Sequence, residues 1–86
     1  MKDLEKVLKA LANRRRLAML KYLKNNKQGT VGEIAGEINL SFKATSKHLT
    51  ILAACDLVER EQKSLQVFYQ LSGSAHPVGK QIISIL

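Results

Sequence analysis

Apolar positions recur with a helical period as far as residue 54 and with a period near two between residues 57 and 71. Leu4, Val7, Leu8 and Leu11 fall at i, i+3, i+4 and i+7, leaving Glu5, Lys6 and Lys9 outside the stripe and Asp3 as an N-cap. Asn13 is placed to cap a second helix whose Met19, Leu20 and Leu23 share a face, and Asn25-Asn26-Lys27-Gln28-Gly29 reads as the turn that ends it. Thr30 opens a short third helix through Val31, Ile34, Ala35 and Ile38, closed by Asn39. Ser41 then caps a fourth, from about Phe42 to Ala54. Beyond Asp56, the segments Leu57-Val58-Glu59-Arg60-Glu61 and Gln66-Val67-Phe68-Tyr69-Gln70-Leu71 flank Gln62-Lys63-Ser64-Leu65 as a β-hairpin. Pro77 starts a last helix carrying Val78, Ile82, Ile83, Ile85 and Leu86. The prediction is one mainly α domain over residues 1–86, in the order α-α-α-α-β-β-α.

That order is the order of a winged helix-turn-helix, with residues 31–54 as the helix-turn-helix and 57–71 as the wing. At 100° per residue Phe42, Thr45, Leu49, Leu52 and Ala53 point to one side of the fourth helix. Lys43, Ser46, Lys47 and Thr50 point to the other, and Ser41 leaves the helix N-terminus facing outward toward a phosphate. No Asp or Glu lies between Asn39 and Cys55. An acid-free face of this kind suits a major groove lined with acceptors and flanked by phosphates. A solvated lysine face on an ordinary amphipathic helix has the same pattern, and the neighbouring turn and hairpin are what favour the groove.

Charge sharpens the picture. Lys and Arg number 14 against 7 acidic residues, a net +7. Nine of those cations and only two acids lie within residues 1–28, with Arg14-Arg15-Arg16 as a compact cluster. A polyanionic partner is expected, double-stranded DNA ahead of RNA or a membrane surface. Phe42, Phe68, Tyr22 and Tyr69 all fall within apolar patterns, which leaves few rings for stacking on single strands. The 86 residues bury a modest core, and one cysteine provides no intramolecular disulfide, so self-association is expected. Leu4, Val7, Leu8 and Leu11 with Ile82, Ile83, Ile85 and Leu86 are the candidate interface, because the final helix is too apolar for water. No apolar run is long enough to span a bilayer, and charges follow Met1-Lys2-Asp3-Leu4 at once, where a signal peptide would be apolar. A cytoplasmic protein without membrane association is the expectation.

Longer runs carry a family resemblance. Leu11-Ala12-Asn13-Arg14-Arg15-Arg16-Leu17-Ala18-Met19-Leu20, Val31-Gly32-Glu33-Ile34-Ala35, Ser46-Lys47-His48-Leu49-Thr50-Ile51-Leu52, Leu57-Val58-Glu59 and Phe68-Tyr69-Gln70-Leu71 together resemble an ArsR-type bacterial or archaeal transcriptional regulator. The resemblance covers about residues 4–72. It implies a homodimer built from the first and last helices (residues 1–12 and 75–86), the fourth helix in the major groove and the hairpin as a wing along the backbone. It also carries Lys43, Ser46, Lys47 and His48 over as DNA contacts, and implies a repressor that competes with polymerase. At lower rank stand Arg14 and Arg15 on the backbone, and Arg60, Lys63 and Gln66 in the wing. His48 lies at the edge between core and groove, where a phosphate donor and a packing residue are equal readings. The wing tip lacks the usual Gly and Arg, and Asp56 stands where a Gly often ends the fourth helix.

One departure bears on sensing. Many relatives bind soft metals through a Cys-x-Cys-Asp-Leu run at the third helix, but Thr30-Val31-Gly32-Glu33-Ile34 stands there, and residues 77–86 hold no Asp, Glu or His. A lone His76 and a Cys55 beside Asp56 do not compensate, so neither metal nor cofactor is expected, and no residue pattern identifies a small-molecule effector. With no phosphate-binding glycine loop or nucleophile motif, an enzyme is not expected either. The competing class is a winged helix that presents its apolar last helix to another protein without binding specific DNA.

Overall fold

Side-chain capping sets most helix boundaries in the computed structural model, which describes residues 2–86; Met1, at the start of the expected 1–12 segment, lies outside the described residues. The elements are α1 (Lys2–Leu11), α2 (Arg14–Asn26), β1 (Gln28–Gly29), α3 (Val31–Ile38), α4 (Phe42–Ala54), β2 (Val58–Lys63), β3 (Gln66–Leu71) and α5 (Pro77–Ser84). Because α1 already begins at Lys2, Asp3 sits in its first turn and is not its cap. The Asn13 carboxamide accepts from the Arg15 and Arg16 amides at 3.0 Å, satisfying two of the otherwise orphaned donors of α2. Thr30 and Glu33 form a reciprocal capping box on α3, with bonds of 2.8 and 3.1 Å. Asn39, left-handed at φ 57°, closes that helix, and the Ser41 hydroxyl accepts from Ala44 N to start α4. Lysines close the other ends: Lys6 Nζ donates to Ala54 O at 3.1 Å and Lys24 Nζ to Ser84 O at 2.9 Å.

Gln28–Gly29 is a strand, where the sequence pattern predicts only a turn. Lys27, at φ 71°, swings the chain out of α2, and the two residues then pair with Gln70 and Tyr69. The result is an antiparallel sheet of order β1-β3-β2, with one short strand added to the expected hairpin. Gly29 is required there, since a Cβ would stand 2.8 Å from Tyr22 Cε1 and 3.2 Å from Ile34 Cγ1. The hairpin turn is also tighter than predicted. Lys63 pairs with Gln66, leaving only Ser64 and Leu65 in the loop, and Ser64 takes the left-handed φ of 59° that such a turn demands. Asp56, at φ 59°, makes the corresponding turn after α4.

The core is formed by Met19, Leu20 and Leu23 of α2, Ile34 of α3, Leu49 and Leu52 of α4, and Leu57 and Val58 at the root of the wing. The last helix does find room on it, contrary to the argument for the dimer interface. Gly79 of α5 lies so close to Leu57 that a Cβ would be 2.5 Å from Leu57 Cδ2, and α5 packs on α1 and α2 of its own protomer. Val7, Leu11 and Ile83 are therefore buried inside one protomer and removed from the candidate interface. Thr45 is fully buried on α4, and its hydroxyl has no hydrogen-bond partner among the described residues.

Candidate nucleic-acid interface

The outward face of α4 carries Lys43, Lys47 and Thr50 exposed and Ser46 half-buried. Thr50 Oγ1 donates to Ser46 O at 3.0 Å, which occupies the hydroxyl hydrogen and leaves its lone pairs outward. Ser41 uses a lone pair on Ala44 N, so its O–H is still available to donate beyond the helix end. Thr45, Leu49 and Leu52 fill the opposite face and hold the helix on the core, as their spacing predicts.

Phe42 departs from that pattern: it is 64% exposed. Helical side chains lean toward the N-terminus, so the side chain of the first residue overhangs the end of the helix, where no preceding turn lies beneath it. Periodicity assigns a direction around the axis and takes no account of this overhang. The lean of a residue at a helix start was the signal available for finding it.

The basic cluster at the start of α2 lies beside α4. Arg16 turns back from it: its Nε donates to Ala10 O at 2.6 Å and its Nη2 to Lys9 O at 3.2 Å, closing the C-terminus of α1. Its Nη1 lies 3.2 Å from His48 Nδ1. A guanidinium only donates, so Nδ1 is the acceptor and the ring proton sits on Nε2. Burial first, then Arg16, Arg15 and Lys47, hold the His48 pKa below the ordinary histidine value. His48 is thus a neutral ring that ties α4 to α2, a packing contact that matches one of its two readings; Nε2–H is the donor it has left. The packing role of Arg16 spans 32 residues to His48 and leaves no local trace in the sequence.

Arg14 and Arg15 stay exposed in the first turn of α2, which contains no acid. Cations at that end oppose the helix dipole, a local cost that a nearby phosphate would reverse. The wing candidates, by contrast, are not brought together. Strand alternation and the register put Lys63 and Gln66 on one face with Glu59, Glu61, Phe68 and Gln70, and Arg60 on the other with Gln62, Val67 and Tyr69. Lys63 Nζ is also engaged within the protomer, 3.0 Å from Gln28 Oε1, 3.5 Å from Glu61 and 5.4 Å from the centre of the Phe68 ring. Arg60 is exposed, on the face that holds no acid, and makes no ion pair among the described residues.

Cys55 is buried, its thiol donating to Leu52 O at 3.5 Å, and burial pushes its pKa up despite the pull of Lys6. Among the described residues no three His, Cys, Asp or Glu side chains gather into a metal-binding group, and no helix is long and apolar enough to cross a membrane. On the outward side of α1 and α5, Leu8 is 47% and Ile85 76% exposed, with Leu4, Ile82 and Leu86 half-buried beside them.

Residues 13–60 match the family model described as bacterial regulatory protein, arsR family. The chain is 41% identical over 68 residues to the transcriptional activator HlyU of Vibrio cholerae, covering 79% of this chain and 62% of that protein, just under two thirds of its length. Among solved structures, HlyU from Vibrio cholerae N16961 superposes with a TM-score of 0.82 at 36% identity, over 98% of this chain and 87% of that one. The homodimeric winged helix-turn-helix DNA-binding domain of Mb0332 from Mycobacterium bovis gives a TM-score of 0.85 at 27% identity, over 98% and 75%.

Proposed function

Since the chain belongs to the bacterial arsR family of regulatory proteins, a family of transcription regulators and not of enzymes, we propose that it acts as a homodimer that binds specific double-stranded DNA in the cytoplasm. In this reading residues 31–54 enter the major groove, 57–71 follow the backbone as a wing, and the segments 1–12 and 75–86 join two copies. The observation that carries it is the acid-free outward face of α4, with Lys43 and Lys47 exposed and the exposed Arg15 close enough to lower the His48 pKa. A helix solvated for its own sake has no need to exclude Asp and Glu over 15 residues, from Leu40 to Ala54. The protein-interaction alternative accounts for the apolar patch but not for this face, and the family does not favour it.

Leu8 and Ile85, with Leu4, Ile82 and Leu86, form the surface left for a second copy once Val7, Leu11 and Ile83 are assigned to the core. Two such patches meeting about a two-fold axis would bury the apolar side chains that one protomer leaves wet. Repression follows where the bound site overlaps a promoter. One relative is named a transcriptional activator, so regulation of either sign is compatible with this family. No metal or cofactor is needed for either.

The test is a duplex selected from a random pool, bound by the full chain at several salt concentrations. Lys43→Ala with Lys47→Ala should weaken binding and reduce the slope of log affinity against log salt by about 0.9 for each phosphate no longer neutralised. Leu8→Glu with Ile85→Glu should yield monomers by ultracentrifugation and lose cooperative binding to paired half-sites. Unchanged affinity and slope in the lysine variant would return the protein to the interaction-module class.

A further inference from the structure

We infer that Phe42 reads the C5 methyl group of a thymine in the major groove. The inference rests on the groove assignment of α4 proposed above and adds to it a base preference that the lysines cannot supply.

Phe42 is the first residue of α4 and 64% exposed, whereas Tyr22 and Phe68 are half-buried and Tyr69 is buried. Its lean past the helix N-terminus puts the ring at the end of a recognition helix that meets base edges. Exposed Ser41 and Lys43 flank it. The other large exposed apolar side chains, Leu8, Ile51, Leu65 and Ile85, sit on α1, at the far end of α4, at the wing tip and on α5. None of them lies in the first turn of α4, where Phe42 is flanked in sequence by polar residues. One ring is also too few for a stacking platform on single-stranded nucleic acid.

A phenyl group offers no donor and no acceptor. Among the major-groove edges of the four bases, thymine alone presents an apolar group, its C5 methyl, while cytosine presents an amino donor and guanine two acceptors. Seating the ring on any other edge would strip water from a polar atom without replacing the hydrogen bond it made. Lys43, next in sequence, suits guanine acceptors, so two adjacent side chains would read two chemically different edges at one helix end. Burial of one methyl group, at about 0.8 kcal/mol, corresponds to about a fourfold change in affinity per half-site.

The experiment replaces each thymine of the selected duplex in turn by deoxyuridine, which removes the C5 methyl and keeps the base pair. With the unaltered protein, one thymine in each half-site should cost about fourfold when replaced. Phe42→Ala should lose that sensitivity while keeping its circular dichroism spectrum and the salt slope of the parent, because no cation is removed. Phe42→Leu, which keeps an apolar side chain, should retain part of the sensitivity. A deoxyuridine scan with no sensitive position, or one whose sensitive position persists in Phe42→Ala, overturns the inference. If the lysine variant has lost affinity and salt slope while the scan is silent, only the role of Phe42 fails; if both are silent, the groove assignment fails with it.

Discussion

Arg16 is the residue whose removal has the most to disturb. It donates to the Lys9 and Ala10 carbonyls at the end of α1 and to His48 on α4. A hydrogen bond from a charged donor contributes about 1.5 to 3 kcal/mol, and in a partly exposed setting the carbonyls of α1 can recover water, so the lower figure applies. Counting only the two carbonyl bonds at about 1.5 kcal/mol each, Arg16→Ala should cost about 3 kcal/mol, or roughly 12 to 24 °C in melting temperature for a domain of this size. Arg15→Ala is the control, because the Arg15 side chain makes no hydrogen bond among the described residues, and its loss should stay within about 0.5 kcal/mol. Urea denaturation followed by circular dichroism reads both. The pH dependence adds a second signature. The folded-state pKa of His48 is held below its unfolded value, first by burial and then by Arg16, so the unfolded chain binds the proton more readily. The stability contribution is therefore intact above the unfolded pKa, near 6.5, and is lost as pH falls through it toward the folded pKa. Arg16→Ala should flatten that acid limb without abolishing it. An Arg16→Ala protein with the denaturation midpoint and acid limb of the parent would refute the clamp.

Three more outcomes follow from the packing. Thr45→Val removes a buried hydroxyl without a partner and should stabilise the protein by about 1 kcal/mol in urea denaturation, with DNA affinity unchanged. Gly79→Ala drives a methyl group into Leu57 and should cost about 1 to 3 kcal/mol, read as a lower midpoint with loosened packing of α5. Cys55, buried and with its thiol pKa pushed up, should react with a thiol reagent at neutral pH only on unfolding, so the folded protein stays unlabelled while the urea-unfolded chain labels at once.

What was legible in the chain was local chemistry. Asn13, Thr30, Asn39 and Ser41 cap or close their helices through bonds to residues two to four positions away, and such bonds are written in the adjacent sequence. The inward Thr45, Leu49 and Leu52 and the outward Lys43 and Lys47 follow from one helical period. Features that depend on distant partners were not. Gln28–Gly29 becomes a strand only because Gln70 and Tyr69 come alongside, and two residues are too few to show alternation. The apolar stripes of α1 and α5 read correctly as stripes, yet nothing local says which members meet inside one protomer. Gly79, by letting α5 approach Leu57, sends Val7, Leu11 and Ile83 inward and leaves Leu8 and Ile85 outside. Arg60, Lys63 and Gln66 lie close in sequence, and only the hairpin register shows that they divide between two faces.

The short strand β1 has a mechanical consequence. It runs directly from α2 into α3 and is hydrogen-bonded to β3, with Lys63 reaching Gln28 from the wing. The wing is thereby tied to the chain segment that leads into the helix-turn-helix. In the proposed complex α4 and the wing would then act as the fixed jaws of a caliper. For a duplex gripped by both, misfit has to be absorbed by the DNA, through groove width and bend. Sequences that deform cheaply would be favoured at base pairs the protein never touches.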